Sequence, residues 1–584
     1  MLIIGLNAFH GDSSACIVKD GKLIAAVEEE RLRRIKHWAG FPSESIRYCL
    51  EAAKVQLSDV DIVAVNQDSS SNFWRKVAYG IKNRPSLKLV DQRIRNRKAR
   101  RSIPELLEEH FGEGSFTGEM ANIDHHVAHL SSAFHVSPFE RATVVSVDGF
   151  GDFASAAWGF GNGTDIKVEG KVHFPHSLGI FYQALTQYLG FPHYGDEYKV
   201  MGLAPYGQPK YLDKMREIVR VHANGEFTLD LQYFNHHKKG VSYSWEDGVP
   251  AVGTLFTEAL EELLGPKRDA SAPLEQKHRD VARSVQAMYE EAFFALITPL
   301  QERHGCDTIT LAGGCAMNSV ANGKIRRQTK YNRVYIQSAA GDAGGAIGAA
   351  FQAWHQNGGQ RDFVMDHAYW GPEYKDDDIE TLLLEKAKEL TEAGCIVERI
   401  EDEDELCNRT AKAISEGQVI GWFQGRLEWG PRALGNRSIV CDPRRADMKE
   451  ILNSKIKRRE SFRPFAPSVL EEDVSDWFEE DDAVPFMMQV FQINEDKRAQ
   501  IPAVTHVDGS GRLQTVSKTT NPRYHKLISS YKALTGVSMV LNTSFNENEP
   551  VVCTPKEGLD CFLRTNMDVI VLGEFFLKRG SSEI

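Results

Sequence analysis

The chain opens on an apolar run, Leu2 to Leu6, which gives way to the small, polar stretch NAFHGDSSA and resumes at CIV; the turn DGK and a third run, LIAAVEEE, follow. Short β-branched runs separated by turns predict a β-meander whose first turn is polar and small. A similar alternation returns at ATVVSVDGFGDFASAAWGFGNGTDIKVEGKV: strand, Asp-Gly turn, small residues, strand, Gly-Asn-Gly turn, strand. The chain therefore reads as one supersecondary unit used twice.

Two such units, each followed by helices, are the pattern of the duplicated fold shared by sugar kinases, actin and Hsp70-type ATPases. There, paired turns face each other across a cleft and hold nucleotide phosphate and metal. Strand–turn–strand units also occur in any α/β protein, so the pattern alone leaves both readings open. Two later segments favour the nucleotide reading. TITLAGGCAMNSVANGKI, 308–325, predicts a strand, a turn at Gly313 and Gly314, and a helix bearing Asn318 and Asn322. Such a turn lets a helix N-terminus approach a nucleotide closely. IQSAAGDAGGAIGAAFQAW, 336–354, repeats the plan with Gly341, Asp342 and a small-residue helix that can pack tightly against a neighbour. Either glycine cluster alone is equally a helix-packing contact.

After Trp354 the polar, Asp-rich stretch HQNGGQRDFVMDHAYWGPEYKDDD reads as a domain connection. Two amphipathic helical patterns, DIETLLLEKAKELTEAG and DELCNRTAKAISEG, flank a short strand, and the strand VIGWFQG follows. The expected organisation is α/β throughout, with one domain over 1–360 and a second over 370–584. No repeat of solenoid length is evident.

Candidate chemistry concentrates at a few places. In DHHVAHLSSAF, 124–134, His125 and His129 at i and i+4 share one helical face and can bite one metal ion; His126 and His135 show equally that the region is His-rich. Asp148 ends the strand ATVVSVD, where ligands of open α/β sheets gather, and Asp342 can close a His₂Asp₂ set suited to iron, zinc or manganese rather than magnesium alone. Lys199, before the turn MGLAPYG, is either a phosphate ligand or an exposed loop lysine, and with Gly313, Gly314 and Asn318 it completes the candidate nucleotide-binding set of the first domain. His10, Asp12, Lys36 and His37 lie on or near turns that can bound the same cleft.

In the second domain, RLEWGPRALGNRSIVCDPR and KIKRRESFRPFAPSVL set arginines among Gly, Pro and aromatic residues, which suits a fixed loop gripping phosphate or carboxylate oxygens. LNTSFNENEPVV adds Thr543, Ser544 and Asn546 after an apolar strand, as short hydrogen-bonding groups for a small polar ligand. By contrast DQRIRNRKARR, 91–101, is basic all round and reads as a solvated face or a subunit contact, with RNA contact the minor reading.

Charge and composition narrow the class. A formal net charge of -12 and a pI near 5.9 argue against a general nucleic-acid or membrane-surface binder. The start lacks the basic and long apolar regions of a signal peptide, and no run reaches the length of a membrane span, so a cytoplasmic location is expected. The nine cysteines contain no C-x-x-C pair, so they read as reduced structural thiols.

GLNAFHGDSSACIV, DHHVAHLSSAF, VSVDGFGD, YKVMGLAPYG, GGCAMN, GDAGGAIGAA, WGPRALGNRSI, FRPFAPSVL and LNTSFN together resemble, in order and over nearly the whole chain, the O-carbamoyltransferases of antibiotic tailoring and rhizobial nodulation, of the tobramycin and cephalosporin carbamoyltransferase type. The resemblance implies an N-terminal domain like the universal tRNA threonylcarbamoyl transferase, on the duplicated actin and Hsp70 fold, and a C-terminal domain like threonylcarbamoyl-AMP synthase. It implies that carbamoyl phosphate and ATP, with Mg²⁺, give carbamoyl-adenylate in the C-terminal domain, releasing phosphate and pyrophosphate. The carbamoyl group then passes internally to an alcohol in the N-terminal domain.

Matched residue by residue, the resemblance implies metal ligation by His125, His129, Asp148 and Asp342, usually of iron. It implies binding of carbamoyl phosphate and ATP by Lys457, Arg463, Arg512, Ser544 and Asn546, with Arg432 in the neighbouring motif, and places His10 and Lys36 near the transfer site. HGD at 10–12 departs from the HD pairing of relatives, which leaves the role of Asp12 open. Carbamoyl phosphate is labile and its carbonyl poorly electrophilic, so a mixed anhydride with AMP supplies a better leaving group, and charge developing in the transition state needs a stabilising cation.

The expected partners are carbamoyl phosphate, ATP and a small-molecule alcohol, and relatives make a homodimer plausible. The main alternative within enzymes is threonylcarbamoyl transfer to tRNA, which the acidic chain and the carbamoyltransferase-type motifs oppose. A nucleotide-binding scaffold would have no use for the arginine-rich second site. Nothing in the sequence defines the acceptor.

Overall fold

Strands β1 (Leu2–Asn7), β2 (Ser14–Lys19) and β3 (Lys22–Glu28) form the first expected meander, and β4 (Ile62–Val65) and β5 (Glu119–Asn122) join it parallel to β1, giving the order β3-β2-β1-β4-β5. β6 (Arg141–Gly151), β7 (Ala154–Asn162) and β8 (Asp165–His173) form the second, and β9 (Thr308–Ala312) and β10 (Arg333–Ile336) join it parallel to β6. Its order, β8-β7-β6-β9-β10, repeats the first position for position. The expected reuse of one unit is therefore present in the strand plan, and the fold is mixed α/β. The computed structural model describes residues 1–83, 102–238, 243–244, 248, 250–457, 459–460 and 462–580; the basic stretch 91–101 lies outside them.

Both faces of the first sheet are covered, which is why its strands are continuous apolar runs rather than alternating ones. Leu2, Ile4 and Leu6 pack with Ile46, Cys49 and Leu50 of α1 (Ser43–Ala53). On the other face β1 lies against α4 (Gly345–Gln356), where a side chain at Gly5 would strike the Ala346 carbonyl. α2 (His125–Phe134) covers β6, β7 and β9 of the second sheet, and a side chain at Gly348 of α4 would strike the Ala128 carbonyl of α2. The small-residue helix thus packs tightly, as its composition predicts. α3 (Gln276–His304) packs beside β6 in the same unit.

The chain separates into two units, Met1–Asn318 with Ile325–Met365, and Ser319–Lys324 with Asp366–Ile584. The second is built on one nine-stranded mixed sheet. Its strands are β11 (Cys395–Arg399), β12 (Ile420–Phe423), β13 (Arg437–Cys441), β14 (Ala466–Leu470), β15 (Gln489–Gln492), β16 (Ser510–Val516), β17 (Met539–Ser544), β18 (Val569–Leu572) and β19 (Phe575–Arg579), in the order β11-β19-β18-β12-β13-β17-β14-β16-β15. α5 (Glu403–Ser415) packs on α6 (Pro522–Thr535), and α7 (Pro555–Arg564) on β12 and β18.

Two expectations are corrected. The pattern DIETLLLEKAKELTEAG is two helices, Asp376–Glu385 and Ala387–Glu392, broken at Lys386, and the helix expected after Gly314 is a single 3-10 turn followed by the short helix Ser319–Asn322. Among the described residues no helix is long and apolar enough to cross a membrane.

Candidate metal centre and anion site

Asp124 caps α2 by accepting from the His126 and Val127 amides at 3.1 and 3.2 Å, so the helix begins at His125 and presents His125 and His129 on one face. Pairing of β6 with β7 is interrupted between Val147 and Gly151, and this bulge re-aims Asp148 out of the ladder. Asp342 arrives on the loop after β10, in the turn that leads into α4. The four meet in one place: His125 Nε2 is 3.2 Å from Asp148 Oδ2 and 3.5 Å from Asp342 Oδ1, and His129 Nε2 is 3.5 Å from each. The two imidazole Nε2 atoms are 3.1 Å apart.

Both histidines are fully buried. Burial opposes charge on His129, but the Asp148 and Asp342 carboxylates outweigh it and hold the imidazole up at about 9. Burial and the neighbouring Asp148 raise Asp342 above the usual carboxylate range, whereas hydrogen bonds from His125 and His129 overcome burial and hold Asp148 well below it. Two buried carboxylates this close repel each other, and two imidazole nitrogens aimed at the same point give a mixed nitrogen and oxygen donor set. The residues therefore fit a divalent cation. His126 turns the other way, onto the Ser146 hydroxyl at 3.0 Å, and burial with the charges of His125 and His129 drives it down to about 3. It stays neutral and outside the set.

Of the other candidates from the first domain, His10 and Gly314 touch the four directly. His10 stacks on His125 with ring centroids 5.1 Å apart, its Nδ1 3.8 Å from Asp342 Oδ2. Gly314 donates its amide to Asp148 Oδ1 at 2.8 Å, and a side chain at Gly313, whose φ is +86°, would strike the Val147 backbone. Asn318 is locked to Gln286 by two hydrogen bonds of 3.0 Å. Lys199 pairs with Asp196 at 2.8 Å. Lys36 is exposed, and its neighbour His37 instead reaches Asp12, with 2.8 Å between Nδ1 and Oδ1. Asp152, which the sequence reading passed over, accepts from the amides of both His125 and Asp68, at 2.9 and 2.8 Å. Its DGFGD context was the available signal.

In the second unit the arginines of RLEWGPRALGNRSIVCDPR divide. Arg437 is buried over Phe423 and spends its guanidinium on the Gln424, Gly425, Asn436 and Pro372 carbonyls; Arg444 pairs with Asp442 at 2.7 Å. Arg426 donates to the Gly371 and Trp370 carbonyls, and Arg432 alone of the four joins Arg459 and Arg463 in bearing on Arg512, on β16. Burial and then these three like charges hold Arg512 well below the usual guanidinium range, and its buried Nε has no hydrogen-bond partner among the described residues. Arg459 was not singled out by sequence.

Lys457 is 3% exposed, and burial followed by Arg459 holds it well below the usual amine range. Its Nζ donates among the Ser544 carbonyl, the Asn546 carbonyl and Asn546 Oδ1, each at 2.6 Å. Thr543 lies one residue earlier on β17, opposite Ile439. Of the predicted set, Lys457, Ser544 and Asn546 are joined by hydrogen bonds at the end of β17, and Arg512 on β16 feels the charges of Arg432 and Arg463.

The first unit thus holds a clustered His and Asp donor set and the second a group of mutually repelling guanidinium groups. Family comparison states the class: residues 2–351 match the family Carbamoyltransferase N-terminus and residues 411–579 the family Carbamoyltransferase C-terminus. The chain belongs to the carbamoyltransferase family and is a transferase enzyme.

It is 39% identical to an uncharacterized protein of Synechocystis sp., covering 99% of this chain and 96% of that one, and 38% identical to the nodulation protein NolNO of Sinorhizobium fredii, covering 99% and 80%. To the 3'-hydroxymethylcephem-O-carbamoyltransferase of Amycolatopsis lactamdurans it is 34% identical over 42% of this chain and 44% of that one. Of solved structures, HypF of T. kodakarensis overlaps 61% of this chain and 48% of its own at a TM-score of 0.31 and 14% identity.

Proposed function

We propose that the protein is an ATP-dependent O-carbamoyltransferase that activates carbamoyl phosphate in the second unit and delivers the carbamoyl group to an alcohol in the first. The observation that carries this reading is Arg512, a guanidinium that feels the charges of Arg432, Arg459 and Arg463 and whose Nε has no hydrogen-bond partner among the described residues. A fold keeps such repulsion only where an anion arrives to relieve it, and planar guanidinium forks match phosphate oxygens. Carbamoyl phosphate and the triphosphate of ATP have that charge.

At this cluster carbamoyl phosphate loses phosphate to water, and the carbamate oxygen attacks the α-phosphorus of ATP with departure of pyrophosphate. The product is carbamoyl-adenylate. Arg432, Arg463 and Arg512 hold the anionic oxygens, and Lys457 is kept in place by Ser544 and Asn546 to meet the developing charge. In the first unit an alcohol oxygen attacks the carbamoyl carbon, the bond to AMP breaks, and the hydroxyl proton passes to a base among the groups beside the metal cluster.

His125, His129, Asp148 and Asp342 would hold the metal, iron, zinc or manganese, which when bound supplies positive charge to stabilise oxygen anions in the transition state. His10 packs against His125 and fixes that wall of the site. The similarity to enzymes named for nodulation and for 3'-hydroxymethylcephem supports a small-molecule alcohol as acceptor.

The test separates the half-reactions. Arg463→Ala or Lys457→Glu loses pyrophosphate release from carbamoyl phosphate and ATP, whereas His129→Asn keeps it and loses AMP release. Failure of both variants at the same half-reaction contradicts the division of labour.

A further inference from the structure

The base that accepts the alcohol proton is not assigned by the metal cluster, and the arrangement around His37 supplies one. The turn after β1 and the loop 34–40 are zipped together: Ser13 donates its amide to the Trp38 carbonyl at 2.7 Å and Phe9 its amide to the Gly40 carbonyl at 3.3 Å. Asn7 steadies the turn through the Gly11 and Asp12 carbonyls, both at 3.0 Å. Asp12 and His37 both hold positive φ, +56° and +55°, a strained backbone for such residues that is kept where the side chains must be aimed. The product of that strain is the 2.8 Å contact between Asp12 Oδ1 and His37 Nδ1.

With Nδ1 donating to the carboxylate, Nε2 is the nitrogen left to face a substrate. Gly195, at φ +83°, lies directly beside it, and a Cβ there would come within 2.7 Å of Nε2. A side chain at this position would close over that nitrogen, and the His37 side chain is 34% exposed. The Tyr194 ring meets His37 edge-on at 5.3 Å, and Asp12 lies two residues along the same turn from His10, which stacks on His125 with its Nδ1 3.8 Å from Asp342 Oδ2. Glu30 is engaged by Arg31 and by the His37 amide, so this carboxylate anchors the loop instead of serving as a ligand.

We infer that Asp12 and His37 form the dyad that removes the acceptor's hydroxyl proton, His37 being a further catalytic residue and Asp12 its positioning residue. The inference rests on the transfer chemistry proposed above. As the alcohol oxygen bonds to the carbamoyl carbon, its proton moves to His37 Nε2 and the electron pair of the breaking bond leaves with AMP. Asp12 stabilises the imidazolium so formed, and the proton then passes to solvent. The groups facing His37 are Asp12, Glu30, Lys36, Tyr194 and Glu197, with Arg31 behind Asp12. Burial opposes charge on the imidazole, yet Asp12 holds it up at about 9.

The experiment uses the full enzyme in excess over ATP, with carbamoyl phosphate, and 1 M glycerol or water alone as the acceptor. Pyrophosphate and AMP release are followed from pH 6 to 9.5. His37→Gln retains the pyrophosphate burst, which reports an intact second unit, keeps the parent's circular-dichroism spectrum and thermal unfolding midpoint, and slows AMP release by about 10² to 10⁴. Asp12→Asn slows it less and moves the midpoint of its rise with pH downward by at least about one unit, because the imidazole has lost the carboxylate that raised it. AMP release and pH profiles equal to the parent's in both variants overturn the assignment, whereas absence of the pyrophosphate burst in the parent overturns the activation chemistry instead.

Discussion

The Nε2 atoms of His125 and His129 lie 3.1 Å apart, and each is within 3.5 Å of a carboxylate oxygen of both Asp148 and Asp342. Two carboxylates and two imidazoles at one point form a donor set that a divalent cation would complete. Chelation is expected to lower the stability of the metal-loaded protein by about 2.7 kcal/mol relative to metal at a hundred times its dissociation constant. His129→Ala reduces bound metal per chain to a small fraction and abolishes that chelator effect. Metal analysis and thermal unfolding check it; an unchanged metal content contradicts it.

Arg512 predicts an opposition between stability and activity. Arg512→Met removes a cation that three arginines repel and is expected to stabilise the protein by about 1 kcal/mol while pyrophosphate release is lost. Chemical unfolding of the variant measures the first and a pyrophosphate-release assay the second. A clear loss of stability would mean that Arg512 is held by interactions within the fold rather than kept for a ligand.

Acid sensitivity has a defined source in His236. Burial holds this imidazole down to about 4, its Nε2 donating to the Pro175 carbonyl at 2.8 Å, against an ordinary 6.5 in the unfolded chain. The unfolded state therefore binds the extra proton between these values, and stability falls as pH drops from 6.5 toward 4, by about 3 kcal/mol at most. His236→Gln flattens that limb in unfolding curves recorded across the range. An unaltered slope in the variant assigns the acid loss to other groups.

Arg361 closes the far end of the metal-bearing helix. Its guanidinium donates to the Phe134 and Phe139 carbonyls at 2.6 Å, to the Ser137 carbonyl at 2.8 Å and to that of His135 at 3.2 Å, satisfying acceptors that α2 leaves open. Arg361→Ala is expected to cost about 3 kcal/mol and to weaken metal binding, and Arg361→Lys to recover only part because one ammonium cannot span four carbonyls. Equal behaviour of the two variants sinks this account.

The strand plan and the His125–His129 pair were legible because each rests on local periodicity, two residues for a strand and about 3.6 for a helix. Asp148 was legible from its place at a strand end. What decides among Arg432, Arg437 and Arg444 is distant in sequence: the Pro372 carbonyl for Arg437, Asp442 and the turn of β13 for Arg444, and Arg459, Arg463 and Arg512 for Arg432. Composition groups them and only tertiary contact separates them. His37 was named beside Lys36, but nothing in IKHWAG says which side chain turns inward; the positive φ of His37 and its bond to Asp12 do. The break at Lys386 was hidden by a helical pattern that continues across it.

Formation of carbamoyl-adenylate is read by isotope exchange between pyrophosphate and ATP in the full enzyme, with metal and magnesium supplied and no acceptor alcohol. Exchange that requires carbamoyl phosphate and disappears in Arg512→Met is the predicted result. Exchange that is absent, or that proceeds equally without carbamoyl phosphate, would contradict formation of a carbamoyl-adenylate by this chain.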